Sequence, residues 1–230
     1  MRDTPTSIML FAAGFGTRMG NLTADQPKPM VPVAGRPLVD HALDQVIPMG
    51  FETVVANLHY KPEALAAHLS KRGIILSLES PDILETGGGL QAALSHLGTR
   101  PVFTMNTDAI WIGPNPLQAL LQAWEPDRMD ALLMCVSPDN AVGHSGTGDF
   151  LLSESGHLSR GKGLIYSGAQ IIKTDMLHDV PQAAFSLNIV WEEMLKHQRL
   201  FGLEYRGKWC DVGQPESIPL AEAALTARNV

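Results

Sequence analysis

Short apolar runs alternate along this chain with stretches in which apolar residues return at every third or fourth position. Runs too short for a helix and bounded by Gly, Pro or polar clusters read as buried strands, and the longer spacing reads as helices facing a sheet. Ser7 to Phe11 is the first strand, followed at once by AAGFGTRMG, so it ends in a glycine-bearing loop. Leu38 to Met49 places Leu38, Ala42, Leu43 and Val46 on one helical face, and Gly50 supplies a stop. Thr53 to Asn57 predicts a strand, Pro62 to Lys71 a helix with a favourable proline start, and Ile74 to Leu78 another strand. A loop, LETGGG, precedes a helix through Leu90, Ala93, Leu94 and Leu97, then a strand from Val102 to Asn106 ending at Asp108. Pro116 to Trp124 predicts a helix and Ala131 to Ser137 a strand.

Alternation of this kind predicts an α/β layered sandwich, its mostly parallel sheet covered on both faces. The rhythm then changes. GTGDFLLSESGHLSRG reads as a hairpin, Leu164 to Ile172 as a strand, Leu187 to His197 as a helix, Leu203 to Tyr205 as a short strand and Pro215 to Ala227 as a closing helix. The core therefore falls mainly in residues 7–139 and a less regular cap in 140–213. No Gly/Ser-rich linker divides them, so one unit with an elaborated edge and two domains both fit; a single domain over 1–230 is the expectation.

Composition narrows the function classes. The 230 residues are 45% hydrophobic and 18% charged, enough apolar material to fold. Seventeen Lys+Arg against 24 Asp+Glu give −7, which disfavours nucleic acid but leaves room for a local cationic site. With only Cys135 and Cys210, a disulfide framework is not expected. No apolar run approaches the roughly 18 residues of a membrane span, so the expectation is a cytoplasmic protein without a membrane partner, and a monomer.

Candidate chemistry gathers at the glycine positions. Gly14-Phe15-Gly16-Thr17-Arg18-Met19-Gly20 directly follows a strand, where small residues let backbone N–H groups approach an anion. Met19 stands where the dinucleotide fingerprint needs glycine, and no Gly-Lys-Ser/Thr follows, which excludes two familiar phosphate loops. Arg18 and Lys28 remain as cations suited to a polyphosphate. Three glycines in Glu85-Thr86-Gly87-Gly88-Gly89 suit a flat base lying against backbone, or simply a tight turn. Asp108 ends one strand and Asp211 follows another, so both carboxylates can converge at the carboxyl edge of the sheet and hold Mg²⁺, which usually takes one or two carboxylates plus substrate phosphates. The eight histidines form no metal-binding pattern and are read as surface or packing residues, and no nucleophile elbow appears.

LFAAGFGTRM, Pro27-Lys28-Pro29 and Pro32-Val33-Ala34-Gly35-Arg36-Pro37-Leu38 together closely resemble the signature of the sugar-phosphate nucleotidylyltransferases, which join a nucleoside triphosphate to a sugar 1-phosphate. Asn106-Thr107-Asp108 is similar to the family's Asn-Gly-Asp, with threonine for glycine, and Trp209-Cys210-Asp211-Val212-Gly213 to its second metal motif. The resemblance implies a Rossmann-like three-layer sandwich with a small sugar-binding cap. It implies that Ala12, Ala13, Gly14, Gly16, Thr17 and Arg18 wrap the triphosphate, and that Lys28 steadies the phosphorus under attack. It assigns Glu85, Thr86, Gly87, Gly88 and Asn106 to the nucleotide, and Asp108 and Asp211 to the metal.

In the cap, Asp149, Ser167, Gly168 and Asn188 interrupt apolar neighbours and read as a recognition surface for sugar hydroxyls, although hairpins also place Asp and Gly at turns. A Glu-Lys-Pro segment found in many larger members is missing; SRGKGLIYSG leaves Lys162 as a shifted substitute. GTGDF, YSG and the short chain most resemble the compact bacterial uridylyltransferases acting on N-acetylmuramic acid 1-phosphate. Mannose guanylyltransferase, glucose uridylyl- or thymidylyltransferase activity, and a catalytically weak nucleotide-binding regulator are the alternatives.

Overall fold

The computed structural model of the protein describes residues 4–227. The chain runs through β1 (Ser7–Phe11), the short pair β2 (Pro32–Val33) and β3 (Arg36–Pro37), α1 (Leu38–Val46), β4 (Thr53–Leu58), α2 (Pro62–Ser70), β5 (Ile75–Leu78), α3 (Glu85–Leu97) and β6 (Val102–Asn106). It continues through β7 (Ala109–Ile112), α4 (Pro116–Ala123), β8 (Ala131–Val136), β9 (Ala141–Val142), the hairpin β10 (Phe150–Leu152) and β11 (Leu158–Arg160), and β12 (Ile165–Ile172). It closes with α5 (Asn188–Lys196), β13 (Leu200–Glu204), β14 (Lys208–Asp211) and α6 (Ser217–Ala227).

Seven strands form the central sheet in the order β13-β8-β12-β6-β1-β4-β5. Every neighbouring pair is parallel except those of β12, which runs antiparallel to both β6 and β8. The period-2 alternation of buried strands decides which face each side chain takes. Ile8 and Leu10 of β1 join Val39, Leu43, Leu65 and Leu117 from α1, α2 and α4 on one face, while Met9 packs on the other with Leu90 and Ala93 of α3 and Val190 and Met194 of α5. The result is the expected three-layer α/β sandwich. Local chemistry sets the helix ends. Gly50, at φ 64, terminates the helical turn after α1, and the Asn115 side chain accepts from the N–H groups of Leu117 and Gln118 ahead of Pro116 in α4.

Four features depart from the sequence pattern. Glu85 to Gly89, expected as a loop before a helix, are the opening turns of α3. The Leu203–Tyr205 strand extends over Leu200–Glu204. Strands β12 and β13, placed by sequence in the cap part, belong to the central sheet. A second sheet, β7-β14-β9, was not expected; its strands are two to four residues long, too short to register as periodic segments. Among the described residues no helix is long and apolar enough to cross a membrane.

The glycines of α3 serve packing. Phe185 O accepts from Gly87 N at 2.8 Å and Gly88 N at 3.1 Å, so the segment before α5 lies directly on the first turn of α3. A Cβ on Gly87 would stand 2.3 Å from the Phe185 ring, and one on Gly88 would stand 2.1 Å from Ala183 O. At the far edge Asp130 draws three strands together: its Oδ1 accepts from Lys173 after β12 at 3.1 Å and from Arg199 before β13 at 3.0 Å, while the chain enters β8. Partial burial favours the neutral acid, but the bonds from Arg199 and Lys173 outweigh it and hold the carboxyl below its usual range.

Gly88→Ala is expected to lose about 1–3 kcal/mol in urea unfolding, because backbone must shift, whereas Gly14→Ala, with open space at its Cβ, changes stability far less. Asp130→Ala is expected to cost about 1–3 kcal/mol at pH 7. Because the folded-state pKa is lowered, this contribution is complete above the unfolded value near about 4 and disappears as pH falls through the folded value. Unfolding curves of both proteins at several pH values should therefore converge only in acid.

Candidate functional site

Parallel strands β1, β4, β5 and β6 release their loops at one edge of the sheet, where open α/β folds bind ligands. A cavity of about 400 Å³ opens there, within the range of nucleotide-sized sites. Ala12, Ala13, Gly14, Gly16, Thr17 and Arg18 line it with Lys28, Glu85, Thr86, Asn106 and Asp108, so the structure gathers eleven sequence-selected residues in one place.

Close contacts explain the loop's composition. Gly16 adopts φ 63 and lies on the stem of Lys28; a Cβ there would come within 2.9 Å of Lys28 Cβ. Gly16 O accepts from Met19 N at 2.9 Å and from Thr23 Oγ1 at 3.1 Å, fixing the turn that carries Arg18. Lys28 is nearly buried, and its Nζ donates to Asp108 Oδ2 at 2.6 Å. Arg18 is exposed at the rim and has no hydrogen-bond or ion-pair partner among the described residues. Ala12 serves the frame: its N–H donates to Asn57 Oδ1 at 2.7 Å.

Thr107 does not disturb the turn that bears Asp108. It needs no positive φ, and its hydroxyl donates to Phe11 O at 2.8 Å, anchoring the turn on β1. Asp211 ends β14 and pairs with Ala109, while Val212 N donates to Asp108 O at 3.1 Å, so the second sheet brings the two aspartates side by side. Gly213 completes the approach: a Cβ there would lie 3.1 Å from Asp211 Oδ1 and 3.3 Å from Arg18 Nη1. The described residues contain no group of three or more His, Cys, Asp or Glu side chains able to hold a metal. Asp108 lines the cavity, whereas Asp211 does not and stands beside the lining residue Gly213. Two hard carboxylates so placed fit Mg²⁺ shared with substrate phosphates, and do not fit a metal caged by protein alone.

Other residues selected from sequence lie elsewhere. Gly87 and Gly88 do not line the cavity, since Phe185 and Ala183 cover them, so of this run only Glu85 and Thr86 face it. Glu85 adopts φ 58, a costly conformation for a residue with a side chain. Ser167 Oγ donates to Met134 O at 2.6 Å and points into the sheet instead of toward a ligand. Asp149 Oδ2 accepts from Tyr166 N at 2.8 Å, holding the hairpin to the start of β12. Gly168, at φ 86, makes room for Asn106, whose Cγ would lie 2.7 Å from a Cβ there. Asn188 Oδ1 accepts from Arg160 Nη2 at 2.7 Å, one residue after Leu187 N donates to Thr86 Oγ1 at 3.0 Å. Lys162 is exposed and outside the cavity lining.

Asn57 and Glu79 escaped the sequence reading. Glu79, almost fully buried, accepts from Asn57 Nδ2 at 2.7 Å and from Leu84 N at 2.7 Å, linking the strand ends to the start of α3. Their signal was a polar residue placed immediately after an apolar run. His144 also corrects the reading of the histidines as surface or packing residues: its Nδ1 lies 3.0 Å from Asp211 Oδ2. Cys135 and Cys210 are free and buried, and burial pushes their thiols up to about 12 and about 11, so neither offers a thiolate.

The MobA-like NTP transferase domain profile matches residues 8–165. The chain is 40% identical over 240 residues to an N-acetylmuramate alpha-1-phosphate uridylyltransferase of Caulobacter vibrioides, covering 98% of this chain and 99% of that one. It is 31% identical over 229 residues to a protein of the same name from Neisseria meningitidis serogroup B, covering 95% and 98% respectively. The fold is similar to HddC from Yersinia pseudotuberculosis, solved with GMP-PN, at a TM-score of 0.76 and 20% identity over 95% of this chain and 99% of that chain. With a profile match over more than half of its length, the chain belongs to the MobA-like NTP transferase family, among the sugar-phosphate nucleotidyltransferases.

Proposed function

We propose that the protein transfers a uridylyl group from UTP to N-acetylmuramate 1-phosphate, giving the UDP-sugar and pyrophosphate. The observation that carries nucleotidyl transfer is the convergence of the glycine loop, Arg18 and the Lys28–Asp108 pair on one cavity, with Asp211 at its edge. The choice of base and sugar rests on similarity to the two named uridylyltransferases.

In this reading an oxygen of the sugar 1-phosphate attacks the α-phosphorus of UTP in line. The new P–O bond forms as the bond to the bridging β-phosphate oxygen breaks, and that electron pair leaves with pyrophosphate. The nucleophile is already an anion, so a general base offers little, and the protein's task is positioning and charge neutralisation. Backbone N–H groups of the glycine loop and the Arg18 guanidinium hold the phosphates. Lys28, fixed beneath Gly16, supplies positive charge at the α-phosphate. Mg²⁺ held by Asp108 and Asp211 with phosphate oxygens would neutralise charge on the leaving group. Glu79 and Asn57 keep the base-side turn in register with the phosphate loop.

Pyrophosphate release should be fastest with UTP and N-acetylmuramate 1-phosphate in a matrix that includes GTP, CTP, dTTP, glucose 1-phosphate and mannose 1-phosphate. A preference for another pair would replace the substrate assignment, and no release with any pair would remove the enzymatic one. Lys28→Ala is expected to lower turnover about 10²–10³-fold while leaving the circular dichroism spectrum unchanged. Asp108→Asn and Asp211→Asn should raise the Mg²⁺ concentration needed for half-maximal turnover, measured by titration at saturating UTP.

A further inference from the structure

We infer that His144 is a positioning residue, which fixes the rotation of the Asp211 carboxylate so that one oxygen faces the phosphate cavity. This rests on reading that cavity as a nucleotidyltransferase centre. A carboxylate only accepts hydrogen bonds, so in this pair the His144 ring donates from Nδ1 to Asp211 Oδ2. The other oxygen, Oδ1, lies on the Gly213 side, near Arg18 Nη1. The two oxygens therefore have different surroundings: one is engaged by imidazole and the other is presented where phosphate charge would gather.

The ring itself is held from several directions. Trp209, two residues before Asp211 on the same face of β14, packs against it with centroids 5.7 Å apart. Gly146 closes over the opposite nitrogen, since a Cβ there would stand 2.3 Å from Nε2. Gly143, at φ 77, lets the loop approach β14 closely: a Cβ would meet Asp211 O at 2.9 Å, and Ser217 Oγ of α6 donates to Gly143 O at 3.3 Å. Both side chains of the pair are about four-fifths buried. The bond from His144 holds Oδ2 on the imidazole side, so Oδ1 stays the oxygen on the Gly213 and Arg18 side instead of exchanging places with it. Residues that orient metal-binding carboxylates in this way usually affect metal affinity by about 10–100-fold.

Mn²⁺ binding tests the inference without turnover, followed by electron paramagnetic resonance of the free ion in the presence of α,β-methylene-UTP. His144→Ala should weaken Mn²⁺ binding by about 10–100-fold. His144→Asn should recover most of it, because its amide nitrogen occupies the Nδ1 position, and His144→Gln should recover less. Thermal unfolding of each variant separates these effects from loss of fold. Wild-type Mn²⁺ affinity in His144→Ala, with binding lost in Asp211→Asn, would overturn the role of His144 and leave the proposed function standing. Recovery by Gln but not by Asn would also overturn it, since the other ring nitrogen would then be the one that matters. Unchanged Mn²⁺ affinity in Asp211→Asn would overturn both readings together.

Discussion

The ion pair between Lys28 and Asp108, closed to 2.6 Å in a partly buried pocket, joins the two halves of the chemistry. Lys28 follows the glycine loop, and Asp108 stands in the turn between β6 and β7. Partly buried charges of opposite sign hold each other more firmly than surface pairs do, and breaking one partner leaves the other exposed to a desolvation cost. The glycine loop rests on the Lys28 stem, and the turn bearing Asp108 is tied to β1 by Thr107. The glycine loop, the cation and the carboxylate therefore keep one mutual geometry.

Missing side chains do as much for the site as the groups present. Gly16 accommodates Lys28, Gly213 admits Asp211 and Arg18, and Gly168 admits Asn106. The glycines of α3 act differently: Gly87 and Gly88 accept the Phe185 segment, while Gly89 leaves space for the Glu79–Asn57 pair. A glycine-rich stretch that resembles a ligand loop in sequence can thus be a docking surface for the protein's own backbone. The segment covering α3 leads directly into α5, so the cavity wall formed by Glu85 and Thr86 and the Asn188 region are mechanically continuous.

Much of the architecture was legible because buried strands and sheet-covering helices carry strong periodicity. Strands β1, β4, β6 and β8, and helices α1, α2 and α4, appear within a residue or a few of their expected bounds. The small β7-β14-β9 sheet was hidden, although it brings Asp211 beside Asp108. Its four-residue and two-residue strands are held by partners distant in sequence, and no local pattern encodes such pairing. Ser167 shows the converse. Its small polar side chain among apolar neighbours suggested a ligand contact, but the hydroxyl instead satisfies a buried carbonyl of β8.

By itself the sequence determined the alternating α/β pattern, the glycine loop with Arg18 and Lys28, and the two aspartates, because residue type and local spacing limit what such segments can do. Only the tertiary structure decided that His144 meets Asp211, that Glu79 and Asn57 frame the cavity, and that Gly87 and Gly88 face Phe185 and Ala183 instead of a ligand. Those outcomes depend on side chains brought together across long sequence separations. Hydrogen-bond geometry and close packing act at ångström range, and a linear pattern carries no such distances.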